Sequence, residues 1–116
     1  MSVRFDHAIV HSRDKRASAR FLSDILGLPE PGAFGDFLVV ELANGASLDF
    51  LDAGDSAFEM QHYAFLVDEA EFDAIFGRIR ERGLAHWADP FKKRPGEINR
   101  RDGGRGVYFD DPDGHL

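Results

Sequence analysis

Two stretches of this 116-residue chain read as copies of one another. HAIVHSRDKRASARFLSDILGL covers residues 7–28 and HYAFLVDEAEFDAIFGRIRERGL covers residues 62–84. Each copy opens with a histidine and a short apolar run, continues through a charged amphipathic segment and closes on Gly-Leu. The glycine follows its histidine by 20 residues in the first copy and by 21 in the second. A repeat at this spacing restricts the fold more than any other feature, because the unit must be a supersecondary module that is used twice.

The elements within each copy can be placed from periodicity and stop signals. Residues 5–10 read as a strand, and Asp14 is an N-cap for a helix with Ala17, Phe21, Leu22, Ile25 and Leu26 on one stripe. Gly27 ends that helix, with Pro29 and Pro31 beyond it. Residues 37–42 form a second strand, Asn44-Gly45 is a tight-hairpin dipeptide, and residues 46–51 return. A further short strand is expected within residues 28–35. In the second copy we expect a strand over residues 61–67 and a helix over about 69–82, with Phe72, Ile75, Phe76 and Ile79 at i, i+3, i+4 and i+7. Gly83 caps it, and strands are expected over 84–88 and 106–110 before the turn Asp111-Pro112-Asp113-Gly114. Each half is thus close to βαβββ, in an α+β fold. Residues 53–60 are short and mostly small or polar, as in a linker between modules covering about 1–52 and 61–116.

Composition narrows the function. At 116 residues with eleven Phe, the chain can bury a core as a single domain. With no Cys, any metal must be held by His and carboxylate, and no disulfide framework exists. A formal net charge of −7 disfavours nucleic-acid binding, which needs a basic face. No apolar run reaches the ~20 residues of a membrane span, and the N-terminus lacks the apolar core of a signal peptide. A cytoplasmic location is expected. The one basic segment, residues 89–105, holds six Lys/Arg against three Asp/Glu. It is either a cationic lid over an anionic substrate or a solvated loop.

The doubled βαβββ order, a His opening each module, and the closing Phe109-Asp110-Asp111-Pro112-Asp113-Gly114 together resemble the vicinal oxygen chelate superfamily. That group includes glyoxalase I, bleomycin- and fosfomycin-resistance proteins and extradiol dioxygenases. The resemblance spans the chain and implies two modules with curved sheets forming a cup around a divalent metal, one of Zn, Ni, Fe, Co or Mn. It makes His7 and His62 metal-ligand positions on the first strands, and Asp49 a carboxylate ligand on the last strand of the first module. The implied fourth ligand lies two residues beyond Leu116. Aligning Asn44-Gly45 with Asp113-Gly114 independently pairs Asp49 with that same position, so the native chain is expected to run on past Leu116.

Other side chains have a chemical and a structural reading side by side. Tyr108 can donate a hydrogen bond to a developing oxyanion, or it can be a core residue with a wet tip. Glu41 is a base if it faces inward and a surface residue otherwise. His86, Trp87 and Phe91 form either an aromatic wall for substrate or ordinary packing, and Arg105 is a candidate substrate anchor in the basic segment. His11 shares the His7 face of its strand, and His115, just after the turn, is expected to be exposed. The function implied is a metal-dependent, glyoxalase-like enzyme acting on a small vicinally oxygenated metabolite by isomerase- or lyase-type enediolate chemistry. Asp49 and Tyr108 would be its catalytic groups, Trp87, Arg105 and Tyr108 its substrate contacts, and a homodimer its expected state. The alternatives are a metal-free small-molecule-binding protein of the bleomycin-resistance type, or a relative of ring-cleaving dioxygenases.

Overall fold

The protein is described from a computed structural model, which covers residues 3–54, 56–100 and 104–116. The chain divides into two compact units, Met1–Glu59 and Met60–Leu116. Both mix helix and strand, so the protein is α+β.

In the first unit, β1 (His7–Ser12) leads into α1 (Lys15–Leu26), followed by β2 (Gly32–Phe34), β3 (Phe37–Glu41) and β4 (Ser47–Asp52). The Asp14 carboxylate caps α1, accepting from the N–H groups of Arg16 and Ala17 at 3.1 and 3.3 Å. At the other end Gly27 adopts φ 69°, a left-handed geometry open to glycine without a Cβ penalty. The strands form one sheet in the order β1-β4-β3-β2, with β1 and β4 parallel and the remaining pairs antiparallel. Parallel neighbours need a long crossover, and α1 with the β2–β3 hairpin provides it.

The sheet is two-faced. Val10, Val40, Leu48 and Phe50 are buried with Ala19, Leu22 and Ile25 of α1. His7, Ile9 and His11 of β1 lie exposed on the other face. The buried stripe of α1 is Ser18, Ala19, Leu22, Ser23 and Ile25, rotated from the expected one, and Ala17 is exposed. Small Ser18 and Ala19 seat the helix on the sheet, and the larger Phe21 and Leu26 are left half-buried at its margins.

In the second unit α2 (Glu69–Glu81) starts at a capping box: Asp68 accepts from the Glu71 N–H at 2.7 Å while Glu71 accepts from the Asp68 N–H at 3.0 Å. Phe72, Ile75 and Ile79 are its buried face. Replacing Asp68 by Ala leaves the Glu71 N–H without its side-chain acceptor and is expected to cost about 1 kcal/mol, read as a lower urea midpoint with an unchanged m value. The short strands β5 (His86–Trp87) and β6 (Tyr108–Phe109) pair antiparallel, His86 opposite Phe109 and Trp87 opposite Tyr108.

Two expectations are corrected in this unit. Residues 61–67 do not form a regular strand. The hydrogen bonds from Leu116 N–H to the Gln61 carbonyl and from Tyr63 N–H to the Leu116 carbonyl, both 2.9 Å, pair a single residue with this segment, too little for a ladder. His115 is buried, at 3 % exposure. Its Nδ1 accepts from the Gln61 N–H at 2.9 Å and its ring meets Tyr63 edge-on, so the imidazole fills space that a solvent-facing residue would leave dry and unsatisfied.

Candidate functional site

Alternation along β1, β4 and β3 places specific side chains in rows across the face of the first sheet that α1 does not cover. Pairing of His7 with Ser47 and of Ser47 with Glu41 makes one row. Ile9, Asp49, Val39 and Gly32 make the next. Glu41 therefore lies on the same face as His7 and Asp49, which settles its ambiguous orientation.

The His7 Nδ1 is 2.6 Å from Asp6 Oδ2. A carboxylate accepts only, so Nδ1 carries the proton and Nε2 presents its lone pair. This is the carboxylate–imidazole arrangement that commonly supports a metal-binding histidine. Asp49 is oriented in turn by Ser47, whose hydroxyl donates to Asp49 Oδ1 at 2.8 Å, leaving Oδ2 available. A neutral imidazole nitrogen and a carboxylate oxygen on adjacent strands are the donor types that first-row divalent metals take, so the residues present fit such an ion. Neither Asp6 nor Ser47 was singled out from the sequence. Both had a signal there: Asp6 directly precedes His7, and Ser47 is two residues from Asp49 and hence on its face.

The hydrogen bond to Asp6 holds His7 above the usual histidine value, with the charge of Asp49 adding to it and partial burial opposing. The charged pair stabilises the folded state below the ordinary histidine range, and that contribution fades as pH rises through the elevated midpoint. Metal affinity runs the other way, because only the neutral ring binds. We expect an NMR titration of His7 in metal-free protein to show a midpoint above that of an unperturbed histidine. Asp6→Asn should bring it down; an unchanged midpoint would remove Asp6 from this role.

In the second unit Trp87 and Tyr108 oppose one another on the short sheet, and the His62 ring lies 5.8 Å from that of Tyr108. Their strand neighbours His86 and Phe109 form the other side, where His86 meets Phe76 of α2 edge-on at 5.3 Å. His62, Tyr108 and Trp87 are thus brought together away from α2. Lys92 joins them, its ammonium 4.6 Å from the centre of the Trp87 ring and 2.6 Å from Asp110 Oδ2. Lys92 has φ 61°, an uncommon left-handed conformation for a residue with a side chain. Nothing in the sequence signals it.

Much of the basic segment is tied down. Burial opposes ionisation of Asp89, but hydrogen bonds from the N–H groups of Lys93, Arg94 and Phe91 outweigh it and hold its carboxyl below the usual range. Arg105, expected to contact substrate, bonds Glu69 and Asp73 on α2 at 2.6 and 2.9 Å and lies over the Phe72 ring. Arg101 of the same basic run lies outside the described residues. Phe91 is exposed.

Among the described residues, Asp111, Asp113 and His115 also bring potential metal-binding atoms within 4.8 Å of one another. Asp111 and His115 already have structural partners in and around the turn. Asp111 Oδ1 accepts from the N–H groups of Asp113 and His115 at 2.9 and 2.8 Å, and the His115 Nδ1 is taken by Gln61. Burial raises the Asp111 carboxyl against the pull of these donors.

An α+β protein whose uncovered sheet face carries an oriented imidazole and an oriented carboxylate offers donors of the kind that a divalent metal takes. No model of a known protein family matches the chain. Solved structures do: oxidase ChaP-H1 is 63 % identical with a TM-score of 0.95, over 98 % of this chain and 91 % of that one. Oxidase ChaP-H2 is 61 % identical with a TM-score of 0.95, over 99 % and 90 %. A curated relative, metallothiol transferase FosB of Shouchella clausii (strain KSM-K16), is 42 % identical over 57 residues, which is 47 % of this chain. That match spans 34 % of FosB, about a third of its length. The chain belongs to the vicinal oxygen chelate superfamily, with the glyoxalases, bleomycin-resistance proteins and dioxygenases.

Proposed function

We propose that this protein is a divalent-metal-dependent oxidase of the vicinal oxygen chelate superfamily, acting on a small molecule with two neighbouring oxygens. The observation that carries the reading is its likeness to oxidase ChaP-H1, 63 % identical over nearly the full length of both chains. The proposed ligands are His7, His62 and Asp49. A divalent ion held by them supplies a Lewis acid able to chelate adjacent oxygens of a substrate.

The protein's own residues would divide the remaining work. Asp6 fixes the His7 tautomer and Ser47 fixes Asp49. The Tyr108 phenol donates a hydrogen bond to a substrate oxygen, Asp49 takes a proton from substrate, and Trp87 packs on the ring or chain that bears it. Arg105 stays outside this set because its guanidinium is engaged on α2.

The architecture proposed with this reading is one domain built from two βαβββ modules, about 1–52 and 61–116, working as a cytoplasmic homodimer. Recurring hydrogen bonds support the repeat. Ser47 N–H bonds the Asp6 carbonyl just as Leu116 N–H bonds that of Gln61. Leu42 and Gly45 bond around the first turn as Asp111 and Gly114 do around the second.

Among the described residues no helix is long and apolar enough to cross a membrane.

Isomerisation of the glyoxalase type is the second reading, favoured by the Asp49 carboxylate beside His7, which can move a proton between adjacent carbons without oxidant. An oxygen electrode separates the two. Metal-loaded protein supplied with catechols should consume dioxygen, and His7→Ala should not. Turnover of the hemithioacetal of methylglyoxal and glutathione under argon, with no oxygen uptake on any diol, would replace the oxidase reading with the isomerase one.

A further inference from the structure

Beside the metal-ligand candidates of the first sheet lies a hollow that the proposed chemistry does not use. It has a volume of about 340 Å³ and is lined by Pro29, Glu30, Gly32, Ala33, Phe34, Val39 and Glu41. Register locates it. Val39 is the direct neighbour of Asp49, and Glu41 that of Ser47. Gly32 is paired with Val39 on the far side. Adjacent strands are about 4.8 Å apart, so a molecule resting on Asp49 needs to extend only one strand spacing to pass over Val39 into the hollow.

The walls say what can enter. Pro29, Val39 and Phe34 give an apolar surface, and Phe34 is 74 % exposed, more than a ring of that size gains from by itself. The charged groups among the lining residues are the carboxylates of Glu30 and Glu41, with no Lys, Arg or His. Two acceptor-only groups favour a hydroxyl or ammonium donor and repel an anion. The floor is open because residue 32 is a glycine. A Cβ built there would meet nothing within 4 Å, and its pairing with Val39 directs any side chain at that position into the hollow.

We propose that this hollow is the subsite that selects the substrate by its distal part, admitting an apolar ring or short chain that ends in a hydroxyl or ammonium and rejecting carboxylates and phosphates. Gly32 sets its depth, Phe34 and Val39 hold the apolar part, and Glu41 and Glu30 receive the donor. The assignment of this pocket to substrate rests on the enzyme reading above. Its charge selectivity stands on the lining alone.

The test uses fragments that lack neighbouring oxygens, so that it does not depend on metal or turnover. 2-Phenylethylammonium and phenylacetate, of similar size and opposite charge, are titrated into ¹⁵N-labelled metal-free protein. The expected result is amide shifts confined to residues 32–34 and 39–41 with the ammonium, and at least fivefold weaker binding of the carboxylate. Glu41→Gln should shrink that preference. Gly32→Leu should abolish binding while leaving the rest of the spectrum in place. Equal binding of the two fragments, shifts elsewhere, or a Gly32→Leu protein that still binds would overturn the proposal. Dopamine and 3,4-dihydroxyphenylacetate added to metal-loaded protein then connect the subsite to the reaction. If neither is oxidised while the fragments behave as expected, the oxidase reading fails and the subsite stands.

Discussion

Protein carrying His62→Ala, loaded with a divalent metal and dialysed, should return from elemental analysis with little metal, its affinity lowered on the order of a hundredfold or more; losing even a supporting partner typically costs 10–100-fold. His7→Ala should behave alike. The two positions open the two copies of the repeat, and a ligand set built by repetition depends on each copy. Asp6→Asn should retain metal more weakly than the parent, since a neutral amide, able to donate as well as accept, replaces the acceptor-only carboxylate at 2.6 Å that fixes the His7 tautomer. Tyr108→Phe separates binding from chemistry. It removes a donor proposed to act on substrate and should leave metal content unchanged while turnover falls. Stoichiometric metal in both histidine variants would refute the ligand assignment whatever the activity.

Phe50→Ala is expected to have the largest effect on stability. The ring is 2 % exposed, lies at the centre of β4, and has Val10 of β1 and Leu38 of β3 as its direct strand neighbours. Removing a buried aromatic of this kind costs about 3–5 kcal/mol, through lost burial and the cavity left behind. Small domains hold only about 5–15 kcal/mol in total, so the first unit should be partly unfolded in mild urea. Leu51→Ala provides the contrast, because its side chain lies on the uncovered face of the same strand and should cost much less. Equal urea midpoints for the two variants would show that the assignment of sheet faces is wrong.

How far the fold could be read in advance differs from element to element. Both helices were legible because their signals are local. Asp14 is followed by a 3.6-residue apolar pattern that stops at Gly27, and Ile75 and Ile79 mark α2 before Gly83. The hairpin at Asn44-Gly45 was legible for the same reason, a turn that needs positive φ at the glycine, here 86°. The buried stripe of α1 was misplaced by about a residue, since Ala17 and Ala19 are equivalent by composition and only the sheet beneath distinguishes them. The strand expected over residues 61–67 and the exposure expected for His115 failed for one shared reason: both depend on what the segment pairs with, and His115 is held by Gln61, a residue 54 positions away. Of the proposed site, His7, His62 and Asp49 follow from the repeat and the family resemblance, and Tyr108 and Trp87 from their places on short strands. Lys92 was not, because its contact with Trp87 depends on a left-handed turn that a lysine does not announce.

Local signals along the chain suffice to mark two stretches that read as copies of one another, to place the helices, and to limit any metal to imidazole and carboxylate donors. Those are matters of repetition, local hydrogen bonding and the absence of cysteine. Which face of each strand of the first sheet is covered depends on long-range packing. Alternation in β1 offers His7, Ile9 and His11 on one side and Ala8, Val10 and Ser12 on the other, two sets of similar mixed polarity. Period two defines two faces without choosing between them. The choice came from α1 packing on Val10, Leu48 and Phe50, which leaves His7, Asp49, Glu41 and the hollow at Gly32 together on the open side.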